Sequence, residues 1–400
     1  MKNRGTKLIV LLAVCGIIAS GIGLMTNVAG LFFTPVADDM HLERGTVALT
    51  LTISNLVYAI GGIFTSRLIT EKNFHRSALI LTALLGGSTI LMASAQNIMF
   101  LYLCNAVRGF AGGVLGFVLA TTILNAWFQE SNGLATSLAM SVSGINGALF
   151  SPLLSSLINA HGWRTGYVFT GILMILFNLP LIFLLPSLRP QSDSHSSRLQ
   201  KENGNQVSEK VFVNYFLFVM VFLFAFLGCA VTALPQHFPA IAESFHAGTS
   251  VGAMMLSVSM LANTFGKIIM GFLTDHIGAK HSILLYALLT GTGCILLLVI
   301  RIPSVMLISA VLIGLSYSLG TVGVVMLTKA TFGEKGYGKT YPVISFGGTV
   351  GNALYSSVIG YLYDGSGNYN LTLLLTAVFI GFTFISTFVC YSEKRHIAIR

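Results

Sequence analysis

Along most of the chain, apolar positions run for about 20 residues before a short polar break, the length a helix needs to cross about 30 Å of hydrocarbon. Twelve such stretches are read, at 8–33, 47–66, 78–95, 98–124, 134–158, 166–186, 211–234, 250–273, 282–300, 303–328, 340–362 and 370–391. A membrane barrel would instead alternate apolar and polar positions over about ten residues. Runs such as "LILTALLGGSTILMASA" do not alternate, so the pattern predicts an all-α membrane protein with twelve transmembrane helices.

One polar stretch breaks this rhythm. "SLRPQSDSHSSRLQKENGNQVSEK", residues 187–210, is rich in Ser, Asn, Gln and charge, and reads as a flexible cytoplasmic linker. It separates an N-terminal six-helix half, 1–186, from a C-terminal six-helix half, 211–400. The halves resemble each other at an offset of 205: "GLATSLAMSVSGINGALFSPLLSSLINAHG" (133–162) aligns without gaps to "GKTYPVISFGGTVGNALYSSVIGYLYDGSG" (338–367). Two helical repeats joined by such a linker are a transporter architecture, with substrate bound near the midplane between them.

Composition agrees. Apolar residues make up 54% of the chain and charged residues 9%, against about 25% charged in a soluble domain. The net charge of +9 suggests an acidic partner such as nucleic acid until its distribution is read. With the N-terminus inside, 17 of the 22 Lys and Arg fall on the cytoplasmic side and three, Arg44, Arg164 and Arg301, outside. That bias predicts a multi-pass protein of the cell membrane with both termini cytoplasmic, and assigns the charge to orientation in the lipid bilayer. Lys2, Arg4 and Lys7 precede the first apolar run as in a signal peptide, but the run continues to Phe33 and is read as a retained helix. The five cysteines lie in apolar segments without metal-ligand spacing, and no Gly-x-x-x-x-Gly-Lys loop for a nucleotide occurs. The expectation is a non-enzyme without cofactor or metal, monomeric, with no nucleic-acid or nucleotide partner.

Two cations remain at membrane depth: Arg108 in "LYLCNAVRGFAGGVLGF" and Lys267 in "TFGKIIMGFLTDHIGAKH". All 13 Asp and Glu lie in loops or at helix ends. A buried cation needs a counter-charge, and an anionic substrate would supply it. Arg can take a carboxylate through two parallel hydrogen bonds, while Lys acts as a movable point charge. Asn27 and Tyr317 could donate to the same carboxylate, although polar residues in membrane helices also serve as interhelical glue. Asn146 and Asn352, in Gly-rich segments, read as packing or rocking elements.

The sequence resembles the major facilitator superfamily over nearly its full length, and within it the monocarboxylate and oxalate:formate porter group. "GFLTDHIGAKH" (271–281) matches the superfamily's Gly-x-x-x-Asp-x-x-Gly-x-Lys loop. "WFQESNGLATSLAMSVSGINGALFSPLLSSLINAHGWR" (127–164) and "FFTPVADDMHLERG" (32–45) resemble the porter group's passages at the corresponding places. The resemblance implies a gating role for Asp275, Gly278 and Lys280, which in the family tie helix ends together on the cytoplasmic side in one conformation. The first-half copy departs from that pattern, with Ser66 in place of Asp and Ile69 in place of Gly. It also implies substrate contact for Lys267, and places Asn263 where proton-coupled members carry Asp. Exchange or facilitated passage of a small monocarboxylate-like anion is therefore expected rather than proton symport. The eleventh stretch lacks the Lys of oxalate carriers. Two alternatives are efflux of lipophilic drug-like compounds, which commonly relies on a membrane carboxylate, and a non-transporting sensor, for which the short tails leave no signalling domain.

Overall fold

The computed structural model describes residues 2–128, 132–185, 188 and 214–399; the stretch read as a linker therefore lies outside the described residues except for Leu188. Nine helices among the described residues are long and apolar enough to cross a membrane. Single crossings are α1 (Gly5–Met40), α2 (Arg44–Leu68), α3 (Phe74–Ser94), α4 (Ile98–Trp127), α7 (Tyr215–Ser244), α10 (Pro303–Gly333) and α12 (Asn370–Ser392). Asn132–Leu179 holds α5 and α6, on either side of Gly162 (φ 80, ψ 164). Thr249–Val299 holds α8 and α9, on either side of Gly278 (φ 80, ψ 155). Val324–Ser366 breaks at Gly333 (φ 67, ψ 178), and the part beyond it is α11. Apart from short turns and end residues, the described parts of all twelve apolar stretches are helical.

The glycine breaks follow from length. An unbroken helix of 51 residues would extend about 77 Å, more than twice the hydrocarbon thickness. A left-handed, extended residue reverses the path, and without a Cβ it does so at little cost. Gly278→Ala is expected to cost about 1–3 kcal/mol; a lowered melting temperature of the detergent-solubilised chain is the measurement, and an unchanged one would mean that the turn relaxes. The equivalent turn after α2 has Ile69, which takes φ −114 and ψ 108 instead. There Asn73 rebuilds the turn, accepting from Thr70 N–H at 2.8 Å and donating to Leu68 O at 3.2 Å.

The buried apolar residues form one cluster drawn only from 217–390 and another drawn only from 10–188. A third, around Phe32, Trp163 and Tyr167, is joined by Ala253, Leu256 and Met260 of α8. Large apolar residues such as Leu261, Phe265, Ile268 and Phe272 on α8 are exposed, the surface that lipid covers. For orientation, the face carrying the α1–α2, α5–α6, α7–α8 and α11–α12 connections is called distal, and the opposite one terminal.

The sequence repeat has a counterpart in three dimensions. Gly162 and Gly367, 205 residues apart, both have positive φ, 80° and 69°. Ser257 of α8 donates to Ala148 O of α5 at 2.6 Å, and Thr52 of α2 donates to Ala353 O of α11 at 2.6 Å. Donor and acceptor of one bond each map onto those of the other at the same offset of 205. One contact of the seam between the two bundles is thus used twice.

Candidate functional site

The seam closes from the distal face to mid-membrane. Beside the α2–α11 bond, Thr52 meets Ser357 at 2.6 Å, and Asn55 donates to Asn352 at 3.3 Å one turn deeper. Between α5 and α8, Asn159 donates to Thr249 at 2.9 Å at the surface, and Thr264 reaches Ser141 O at 3.4 Å near the middle. These helices approach closely because a Cβ on Gly144 or Gly147 would collide with Thr264 or Met260.

At the centre of the distal seal α1 is not a regular helix. It passes through a π-turn at Ala19–Leu24 and a 3-10 turn at Ala29–Phe32, which frees backbone groups. Gln236, only 2% exposed, supplies partners from α7: its Oε1 accepts from Gly30 N–H at 3.2 Å, and its Nε2 donates to Asn27 O at 3.4 Å and to Tyr317 Oη at 3.5 Å. Gln236 lies just beyond the apolar stretch 211–234 and is not among the residues that the sequence singles out. The structure thereby brings Asn27 and Tyr317 into one bonded cluster. Asn27 itself donates to Ser143 O of α5 at 2.9 Å, the interhelical use of its amide.

Lys267 lies one turn beyond Thr264, the last α8 residue bonded to α5 among the described residues. Helical spacing puts residues 260, 264 and 267 on one face, and Met260 and Thr264 of that face pack on α5. One turn further toward the terminal face, Lys267 is half-buried, and no hydrogen bond or ion pair is found for its amine among the described residues. Asn263, one turn before it, is buried with its Oδ1 unpartnered. The lipid-facing residues of α8, Phe265, Ile268 and Phe272, lie on another side.

Arg108 belongs to a different environment. It is 5% exposed, its Nη2 donates to Asn105 Oδ1 at 2.6 Å, and its Nε is buried without a partner. Nearby in the same half, Tyr167 stacks on Phe32 of α1 with ring centroids 4.1 Å apart. The ion pairs among the described residues, Arg44–Glu243 and Arg164–Asp39, both lie at the distal face and involve neither Arg108 nor Lys267.

At the terminal face Asp275 is exposed and has no ion-pair partner among the described residues, while Lys280 stands over the Phe388 ring at 4.5 Å. Gly278 makes the turn between them. The loop is therefore assembled without an Asp275–Lys280 ion pair among the described residues.

Two helical bundles joined along a polar seam, whose cross-bundle hydrogen bonds among the described residues run from the distal face to Thr264, define a multi-pass membrane transporter of the alternating-access kind. The model of the Major Facilitator Superfamily matches residues 13–253 and again 237–397, and the chain belongs to that superfamily. It is 23% identical to the MFS-type transporter YcxA of Bacillus subtilis, over 95% of this chain and 94% of that one. It is also 23% identical to monocarboxylate transporter 13 of Rattus norvegicus, over 88% and 81%. An oxalate:formate antiporter of Oxalobacter formigenes is 24% identical over 39% of this chain and 37% of its own. Among solved structures, the nucleoside transporter NupG superposes with a TM-score of 0.71 at 12% identity, covering 96% of this chain and 99% of that one. A bacterial homologue of the lysosomal transporter Spinster, inward-facing and occupied, gives 0.69 at 16% identity, covering 98% and 97%. The protein is a secondary transporter of a small molecule, embedded in a membrane, and not an enzyme.

Proposed function

We propose that the substrate is a small organic anion of the monocarboxylate class, carried by exchange or facilitated passage between the two bundles. The observation that carries this reading is Lys267: a half-buried cation on the seam face, with no acidic partner among the described residues. A carboxylate there replaces the water an ammonium loses on burial and gives it a counter-charge. Asn263, one turn away, and Tyr317 add hydrogen bonds, Asn27 completes the distal wall, and Arg108 is a second positive charge on the N-terminal side. The relatives named as a monocarboxylate transporter and an oxalate:formate antiporter support this substrate class. In this reading the terminal face is cytoplasmic, in keeping with its excess of Lys and Arg. The chain then lies in the cell membrane as a monomer, facing inward in this conformation. Asp275, with Gly278 and Lys280, gates that inner face in the opposite conformation.

Because Asn263 offers no titrating carboxylate, uptake is expected to be stimulated by anion preloaded on the far side and unaffected by an imposed pH gradient. Reconstituted vesicles assayed with formate, lactate, pyruvate, oxalate and succinate give the measurement. Strict dependence on a proton gradient would overturn the exchange mechanism, and no uptake of any of the five would overturn the substrate class.

A further inference from the structure

We propose that Asp364 is the latch of the distal gate, and that it works by capping a helix in the opposite bundle. The first amides of an α-helix have no partner within the helix and are ordinarily satisfied by the side chain of the residue just before it. At α2 that residue is Glu43, and its side chain makes no capping bond. The cap comes from the far end of α11. Asp364 Oδ1 accepts from Arg44 N–H at 3.0 Å, and Oδ2 accepts from Gly45 N–H at 2.7 Å. Both are charge-assisted bonds to the positive end of a helix dipole.

The rest of Arg44 faces the same bundle. Its Nη1 donates to Ala240 O at 3.4 Å and to Tyr369 Oη at 3.5 Å, its Nη2 lies 3.8 Å from Glu243, and its guanidinium stands 4.4 Å from the centre of the Tyr363 ring. Gly45 and Gly360 touch beneath it: a Cβ on Gly360 would lie 2.5 Å from the Gly45 Cα. Opening the distal face separates α2 from α11, so it leaves α2 uncapped and strips Arg44 of these partners together. Each bond exists only in the closed state and so biases the equilibrium toward it. This inference rests on the alternating-access reading but not on the identity of the substrate.

The test needs no substrate. In the full chain in lipid nanodiscs, Ser357→Cys places a thiol within the closed distal seam, and its rate of reaction with a bulky maleimide reports how often that seam opens. The same chain without the new cysteine gives the background from the five native ones. Asp364→Asn is expected to raise the rate on the order of tenfold, as removal of hydrogen bonds to a charged group should. Arg44→Gln, which keeps the backbone amides, should raise it less. The control for a merely structural cap is Glu43→Ser in the Asp364→Asn chain, because a serine caps α2 locally without linking the bundles. That variant should fold as stably as the parent and still label fast. A parent-like rate in both Asp364→Asn and Asp364→Ala, or a return to the parent rate on adding Glu43→Ser, would overturn the latch.

Discussion

Lys267→Gln is expected to abolish anion uptake by reconstituted vesicles while leaving the chain folded. The amine is held at membrane depth with no protein counter-charge among the described residues. On insertion scales such a charge costs about 2.5–3.5 kcal/mol, so its removal should leave the fold at least as stable. For the bound anion the sign is opposite. Deleting one member of a buried, hydrogen-bonded charge pair costs about 2–5 kcal/mol, roughly a 30-fold to several-thousand-fold loss of affinity, because the remaining charge is left without its partner. Glutamine is one bond shorter but keeps a polar, hydrogen-bonding tip, so the loss would report mainly the missing charge. An unchanged or raised melting temperature together with lost uptake is the expected pair of results. Full uptake would remove Lys267 from the site, and lost uptake with a collapsed melting temperature would make it structural.

The second large effect is expected at Gly30. A Cβ there would overlap the backbone carbonyl of Gln236, and backbone cannot move aside as a flexible side chain does. Gly30→Val should therefore hold α1 and α7 apart and prevent the distal face from sealing. Overpacking of this kind costs typically about 1–3 kcal/mol and more where backbone meets backbone, so transport should fall by roughly 100-fold. Unlike the charge deletion, the loss should come with a faster maleimide reaction at Ser357→Cys. Gly381→Val is the control, because no atom lies within 4 Å of the Cβ it would add. Normal uptake by Gly30→Val would show that the distal seal is dispensable.

How much of this was legible in the sequence depends on the range over which each feature is encoded. Helices are written locally, as runs of apolar residues, and the described parts of all twelve stretches are helical. The break at Gly278 was visible through the resemblance of residues 271–281 to the superfamily's loop. Its counterpart at Ile69 was visible as a departure, though not the means by which Asn73 replaces it. Lys267 stood out because a cation in an apolar run is conspicuous. Gln236 and Asp364 did not, since polar residues at helix ends are ordinary. What distinguishes them is the partner each reaches, backbone amides 206 residues away for Gln236 and 320 and 319 residues away for Asp364. No periodicity encodes a bond of that range. Arg108 was conspicuous for the same reason as Lys267, yet its bond to Asn105, three residues earlier, ties it to its own helix.

The doubled contact between Thr52 and Ala353 and between Ser257 and Ala148 has a consequence for ancestry. A single copy of the repeat already holds both members of the bond, the hydroxyl on its second helix and the carbonyl on its fifth. Two identical short chains related by a two-fold axis could have donated to each other in the same way, as isologous dimers do. On this view, fusing them into one polypeptide added no new recognition. It left each copy free to drift, and Asp364 and Gln236 mark where the two have since become different.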